Sequence, residues 1–448
     1  MVPSERGGVA PLEQMPPSPL RLVSDSAVRK VATWPLVISA VRRALVAAAA
    51  AGTTNNNATS APASSAVFPV VLGRGSHPGT GWGAKSGLLG ATGKGENALA
   101  AEVGVKVGSY WPGNRTKGLA AHGSTTLLLD DDTGFPRALV NAHYLNGLRT
   151  AAANALACDA LAAPDAANLV LFGAGGQALF EAQAICQVRP LRRITIVNRT
   201  RGSADALAVE LRAWLQSPEG AGLARPDTEV AVLISTPENE GTAEETVEET
   251  AEEESKEGSV LWRLVADADI ITTVTPRVAT DGGLSGLFPA AALSPGTHIS
   301  AMGADGPGKG ELSVVALAEM VCVGGAGDGS VGSVGSVGLG AVRFFADYPE
   351  QSFRVGELQH LPESMRGDVT AIGELLHGGD GDGAGGAGGA GGAGDGDVRL
   401  VRDGWGIEAD AGAITVFDSS GIALQDVAAA AAVLAAADAA GLTQTIDF

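Results

Sequence analysis

The residues with the clearest chemical meaning form a glycine turn, Gly173-Ala174-Gly175-Gly176-Gln177-Ala178, inside NLVLFGAGGQALFEAQAICQVRPLRRITIVNRT (168–200). An apolar run, Leu169 to Phe172, precedes it, and residues at helical spacing (Leu179, Ala182, Ile185, Cys186) follow it. A second β-rich run, Ile194 to Val197, closes a βαβ unit of about thirty residues. Such a turn binds anions, because glycine lets the backbone come close to a pyrophosphate held on the free N–H groups of a helix start. A second GAGG, at Gly383 to Gly386, has no strand before it and no helix after it and is low complexity. The second strand of the unit ends in Asn198, Arg199 and Thr200, where a ribose-reading carboxylate would stand in an NAD site. With no carboxylate and a guanidinium nearby, the strand end favours NADP(H), with NAD(H) possible. Gln177, Ala178, Thr275 and Met302 complete the expected cofactor contacts, Thr275 at the nicotinamide.

These elements must be carried by a chain of 448 residues, 45% of them hydrophobic, which is enough for two domains. The net charge of −20 is concentrated: ten Glu and one Lys lie between Glu238 and Glu257, a pattern of a solvated loop. No basic stripe points to nucleic acid. Cys158, Cys186 and Cys322 have neither disulfide nor metal-site spacing, so no metal is expected and a reducing compartment is. Trp34 to Ala51 is the most apolar N-terminal stretch, but Pro35, Arg42 and Arg43 interrupt it, and an amphipathic helix is expected rather than a membrane span. The Pro-rich first twenty residues suit a tail in a cytoplasmic protein and leave an organellar transit peptide open.

In chain order, two helices break at Pro35, and a polar stretch spans Thr53 to Ser65. Strands are expected at Val67 to Leu72, Val103 to Val107 and Thr125 to Asp130, the last turning at Thr133-Gly134, in a mostly antiparallel sheet. A helix from about Ala142 to Leu161 leads into the dinucleotide unit. That unit continues with a helix over 204–215, strands over 230–234 and 270–274, and the segment 296–302. Low-complexity stretches at 324–340 and 378–397 read as surface inserts, like the acidic run 238–258. A strand, ITVF from Ile414, and a long Ala-rich helix finish the chain.

Together GAGGQA, NRT at Asn198, RTAAANALA from Arg149, GTHISAMGADGPGKGEL from Gly296, GEL at Gly356 and ITVFDSSGIALQD from Ile414 resemble the ornithine cyclodeaminase/mu-crystallin family. The resemblance implies an α/β chain in which a Rossmann-type NAD(P)-binding domain (151–377) is inserted into a discontinuous α+β substrate and dimerisation domain (22–150 plus 408–448), usually in a homodimer. It also implies roles. Lys106, in VGVKVGSYWPGN, matches the family's active-site lysine, which binds the substrate carboxylate or polarises the adjacent carbon. Arg149 matches a carboxylate clamp, and Asp305, in GADGPGK, an aspartate that exchanges a proton with the substrate nitrogen or water. The family's further arginine on an early strand is missing: PASSAVFP places Ser64 or Ser65 there, with Arg74 nearby. The resemblance points to an oxidoreductase acting on the C–N bond of a small amino or cyclic imino acid. Asn198 favours a mu-crystallin-like ketimine reductase. Asp305 favours ornithine cyclodeamination, and a non-catalytic NADP(H)-binding protein is the third alternative.

Overall fold

A computed structural model describes residues 19–52, 65–92, 99–225, 227–235, 257–279, 281–283, 285–324, 342–376 and 412–447. Nearly all of the expected acidic insert, and both glycine-rich inserts except Gly324, lie outside these residues.

Two sheets organise the chain. The first runs β16(Gln444–Ile446)-β1(Leu20–Val23)-β7(Pro136–Asn141)-β6(His122–Leu129)-β5(Glu102–Tyr110)-β4(Gly81–Leu89)-β2(Ala66–Val67), with β3(Val71–Gly73) also on β4. Its pairings are antiparallel except that of β1 with β7. One face packs against α2(Trp34–Gly52), α3(His143–Leu161) and the C-terminal helix α10(Ala423–Ala439) in a core that includes Val37, Val41, Leu45, Leu128, Val427 and Leu434. The helix α1(Asp25–Val31) is capped by Ser24, whose hydroxyl accepts from Ala27 N at 3.2 Å. Pro35 falls in the first turn of α2, where a missing N–H costs nothing. By length and composition α2 could cross a membrane, but Val37, Val41, Ala44, Leu45 and Ala48 bury its apolar side in this core.

The second sheet is parallel throughout, in the order β10(Glu229–Ile234)-β9(Arg193–Asn198)-β8(Asn168–Phe172)-β11(Ile270–Thr273)-β12(His298–Ala301)-β15(Ile414–Asp418)-β13(Val342–Ala346)-β14(Thr370–Ala371). The chain goes from β8 outward to β9 and β10, then returns to β11 on the other side of β8. The carboxyl ends of β8 and β11 therefore flank the switch point, where an open α/β sheet binds its ligand.

Three expectations change. The single strand over 67–72 is two short ones, split at Phe68-Pro69-Val70, because proline cannot donate to a ladder. GWGAKSGLL, where no strand was expected, is β4, paired along its whole length with β5. Its glycines serve close packing: a Cβ on Gly87 would lie 2.9 Å from Leu424 Cδ1, and one on Gly104 across the ladder 2.7 Å from Leu127 O. The third correction concerns the domain boundary. ITVFD was assigned with 408–448 to the first domain, yet β15 is an interior strand of the second sheet, all five residues buried, as a two-sided parallel strand requires. The chain crosses back to the first domain only at 419–422. Helix α3 likewise runs through the expected boundary at 150/151. It packs on α4(Ala178–Cys186) so closely that a Cβ on Gly147 would sit 2.6 Å from the Phe180 ring.

Candidate active site

The dinucleotide turn begins where β8 ends. Gly173 has φ 109°, and a Cβ there would lie 3.1 Å from Val274 O and 3.3 Å from Thr275 Cγ2, so only glycine suits the position. Gly175 and Gly176 are exposed, with nothing within 4 Å of the place a Cβ would take, which leaves an open cradle ahead of α4 at Ala178. Across it lies Thr275, whose N–H and hydroxyl both lie against the Glu311 carboxylate. An open glycine cradle ahead of a helix start fits a dinucleotide. At the end of β9, Asn198 Nδ2 donates to Thr200 O at 2.9 Å, while Arg199 and Thr200 are exposed at the start of α5(Arg201–Leu215). Met302 is buried, and its N–H donates to Thr273 O at 2.9 Å.

The Gln177 side chain is engaged within the protein. Its Nε2 donates to Gly147 O at 3.1 Å and to Glu181 Oε1 at 2.7 Å, so the side chain ties the turn to α3. The other oxygen of Glu181 accepts from Asn154 Nδ2 at 2.7 Å, also on α3. Burial pushes the Glu181 carboxyl up to about 7 against these hydrogen bonds. A comparable buried carboxylate shapes the segment after β12. Glu311 accepts from Thr275 N, from Thr273 Oγ1 at 2.8 Å and from Gly303 N at 2.8 Å. Glu357, of the GEL motif, accepts from the N–H groups of Glu311 and Leu312 at 2.9 and 2.8 Å.

Lys106 and Arg149 meet at a residue that sequence reasoning did not single out. Asp426 Oδ1 is 2.9 Å from Lys106 Nζ and 2.9 Å from Arg149 Nε, although the Arg149 Nε–H is not aimed at it. Asn146, one helical turn before Arg149, accepts on Oδ1 from Lys106 Nζ at 3.0 Å and from Arg149 Nη2 at 2.7 Å. Gln425 Oε1 accepts from Arg149 Nη1 at 3.2 Å. Burial and the Arg149 charge push the Lys106 ammonium down to about 7, against the Asp426 charge and hydrogen bond. Burial raises the Asp426 carboxyl, but Arg149 and Lys106 outweigh it and hold the group below the usual range. Asp426 Oδ2, Gln425 Nε2, Ser124 Oγ and Thr126 Oγ1 are buried without partners. Thr126 is the cross-strand neighbour of Lys106, and Ser124 lies two residues along the same face. Such orphaned polar atoms mark the place of a polar ligand.

Lys85 was missed as well. It lies directly across from Lys106 on β4, and its Nζ donates to Ser420 O at 3.1 Å and Gly421 O at 2.8 Å. Burial, then the Arg149 charge, lowers its pKa, with Asp426, Asp305 and Asp347 opposing. Asp305 is not hydrogen-bonded to Lys106 or Arg149. Its side chain is 60% exposed at the rim and pairs with Lys309. Its surroundings push its pKa up, but Lys309, with help from Lys85 and His122, leaves it below the usual range. Arg74 makes no hydrogen bond to Lys106 or Arg149: it is exposed in a cleft of about 570 Å³ with His77, Thr80 and Tyr110. Ser65 accepts from Gly90 N at 2.9 Å, a structural role, and Ser64 lies outside the described residues.

Two signals for the missed residues were present in the sequence. Asn146 precedes Arg149 by three, on one helix face, and Gln425-Asp426 follow the SSG turn at a helix start. Lys85 had none, because glycines on both sides hid its strand. The Lys106 environment gives a direct expectation. In protein with ¹³C-labelled lysine, one Cε resonance titrates with a midpoint near 7, and Asp426→Asn moves that midpoint lower, because the carboxylate that favoured the charged form is gone. An unchanged midpoint in the variant would mean that Asp426 does not set the Lys106 charge.

The family model described as "Ornithine cyclodeaminase/mu-crystallin family" matches residues 92–218 and 224–328, more than half of the chain. The iminosuccinate reductase of Paracoccus denitrificans is 29% identical over 380 residues, 85% of this chain and 88% of the relative. Its crystal structure in complex with NAD+ superposes with a TM-score of 0.63 at 25% identity, covering 96% of this chain and 99% of that one. The L-lysine cyclodeaminase of Streptomyces rapamycinicus is 29% identical over 271 residues, 60% of each chain. Matched over most of its described length, and carrying the glycine cradle opposite a buried Lys–Asp–Arg cluster, the chain belongs to the ornithine cyclodeaminase/mu-crystallin family of NAD(P)-dependent enzymes.

Proposed function

We propose that the protein is a ketimine reductase of mu-crystallin type, reducing the C=N bond of a small, cyclic α-imino acid with NADP(H) in preference to NAD(H). The observation that carries this is the buried Lys106–Asp426–Arg149 cluster beside the glycine cradle. Bound nicotinamide supplies the hydride to the imine carbon. Arg149 offers its guanidinium to the substrate carboxylate, held in place by Asn146 and Gln425. Lys106, poised near neutral pH, shares that carboxylate or polarises the adjacent carbon. Asp426 keeps both cations oriented. Asp305, at the rim, exchanges a proton with the substrate nitrogen or with water.

The position of Asp305 within electrostatic reach of Lys85 favours a second reading, cyclodeamination of L-ornithine with loss of ammonia. The two separate in solution. With NADPH and a cyclic ketimine such as Δ1-pyrroline-2-carboxylate, the first reading expects NADPH oxidation. With NAD+ and L-ornithine, the second expects ammonia and proline without net cofactor change. Cofactor binding with neither reaction would sink both.

The cofactor preference rests on Asn198 and Arg199. Replacing Asn198 with Asp should move the kcat/KM ratio towards NADH, because a carboxylate repels a 2′-phosphate and accepts from a ribose hydroxyl. A wild type that already prefers NADH refutes the assignment.

We infer also that the partner is a second copy of the chain, joined through the outer face of the first sheet. Val107 is 45% and Val71 56% exposed, with Trp82 beside them, an apolar area on the side away from Lys106. Sedimentation equilibrium should find a dimer, and Val107→Glu a monomer. A wild type that stays monomeric at micromolar concentration overturns the inference.

A further inference from the structure

Lys85 has no part in the chemistry above, yet its position is costly. Its Cα is paired with that of Lys106 across β4 and β5, so the two ammonium groups leave the same sheet face as direct neighbours. Like charges so placed repel, and removal from water strengthens the repulsion. Arg149 adds a third positive charge that acts on both.

The nearby carboxylates do not cancel this surplus. Asp426 is engaged between Lys106 and Arg149. Asp347 accepts from Gly421 N at 2.6 Å, from Tyr348 N at 2.8 Å, and from the Ser419 and Ser420 hydroxyls at 3.2 Å each. Asp305 has Lys309. The direct partners of Lys85 are two neutral carbonyls, Ser420 O and Gly421 O, which orient an ammonium without neutralising it and leave one of its three N–H donors free. The turn that supplies them is itself fixed. Besides Asp347, Gln351 Nε2 donates to Gly421 O at 2.8 Å, and Gly421, at φ 72°, passes so close to Arg149 that a Cβ would lie 2.8 Å from Nη1. Lys85 is thus a pre-organised cation in the same site as the carboxylate clamp. A single substrate carboxylate held between Arg149 and Lys106 would leave Lys85 unmatched.

We propose that Lys85 binds a second acidic group, and that the substrate class is an imino dicarboxylic acid. This rests on the reductase reading of the site and extends its substrates from cyclic imino acids to open-chain imino dicarboxylates. Reduction remains balanced: the imine carbon takes the hydride, the C=N π pair goes to nitrogen, nitrogen takes a proton, and the product is an amino dicarboxylic acid. Lys85 acts on binding and selection, at a distance from the bond that changes.

The test compares two imines under NADPH: iminosuccinate, formed from oxaloacetate and ammonia, with two carboxylates, and Δ1-pyrroline-2-carboxylate, with one. The wild type is expected to favour iminosuccinate in kcat/KM by about tenfold or more, the scale of one charge-assisted contact. Lys85→Gln should lose about tenfold more on iminosuccinate than on the monocarboxylate, and Lys85→Arg should recover part of the difference. If Lys85→Gln lowers both substrates by the same factor, Lys85 only supports the turn and the proposal is wrong. A wild type that prefers the monocarboxylate overturns this proposal while leaving the reductase reading intact. Reduction of neither imine removes the reductase reading and this proposal with it.

Discussion

Everything around the candidate site depends on one buried carboxylate between two cations. Asp426 holds Lys106, from the middle of a sheet, and Arg149, from a helix that runs on into the other domain. Removing either kind of charge would leave the other buried and unpaired, a large penalty in a dry interior. The three residues come from three distant parts of the chain, so the site exists only when the first domain is complete. Close backbone approach makes that possible. Gly87 and Gly104 let α10 lie directly on the sheet, which brings its first turn, with Gln425 and Asp426, down to the level of Lys106.

The helix α3 links this cluster to the cofactor cradle. Along one helix it presents Asn146 to Lys106, Arg149 to Asp426, the Gly147 carbonyl to Gln177 and Asn154 to Glu181. The turn that receives the dinucleotide and the clamp that receives the substrate are therefore referred to the same rigid element. Gly147, with the Phe180 ring against it, keeps the two helices close enough for these bonds to form. Buried carboxylates serve the same end elsewhere. Glu311, Glu357, Asp347 and Asp418 each accept from backbone N–H groups and fix the loops that follow the strands of the second sheet. Burial opposes their ionisation, holding Glu357 at about 8 and Asp418 at about 7. These carboxylates act as loop anchors.

The sequence by itself determined what local pattern can determine. A strand, three glycines, a helix and a second strand within one stretch of chain specify a dinucleotide turn, since backbone conformation and helix-end N–H groups are local properties. Helices α3 and α10 and most strands were legible for the same reason, and the motif resemblance placed Lys106, Arg149 and Asp305. Tertiary structure decided the rest. Glycine has no side chain to signal a strand, so β4 was invisible until its neighbours β3 and β5 paired with it, and Lys85 was hidden with it. The ITVFD strand carries no mark of which sheet it joins, because a buried apolar run fits either. That the Gln177 side chain binds Gly147 and Glu181 depends on the approach of α3 to the turn. Asp426 looked like any acidic residue in the first turn of a helix. Only the close contact of α10 with β4 and β5 makes it the counter-charge of two cations, since charge pairing depends on distance through space and not along the chain.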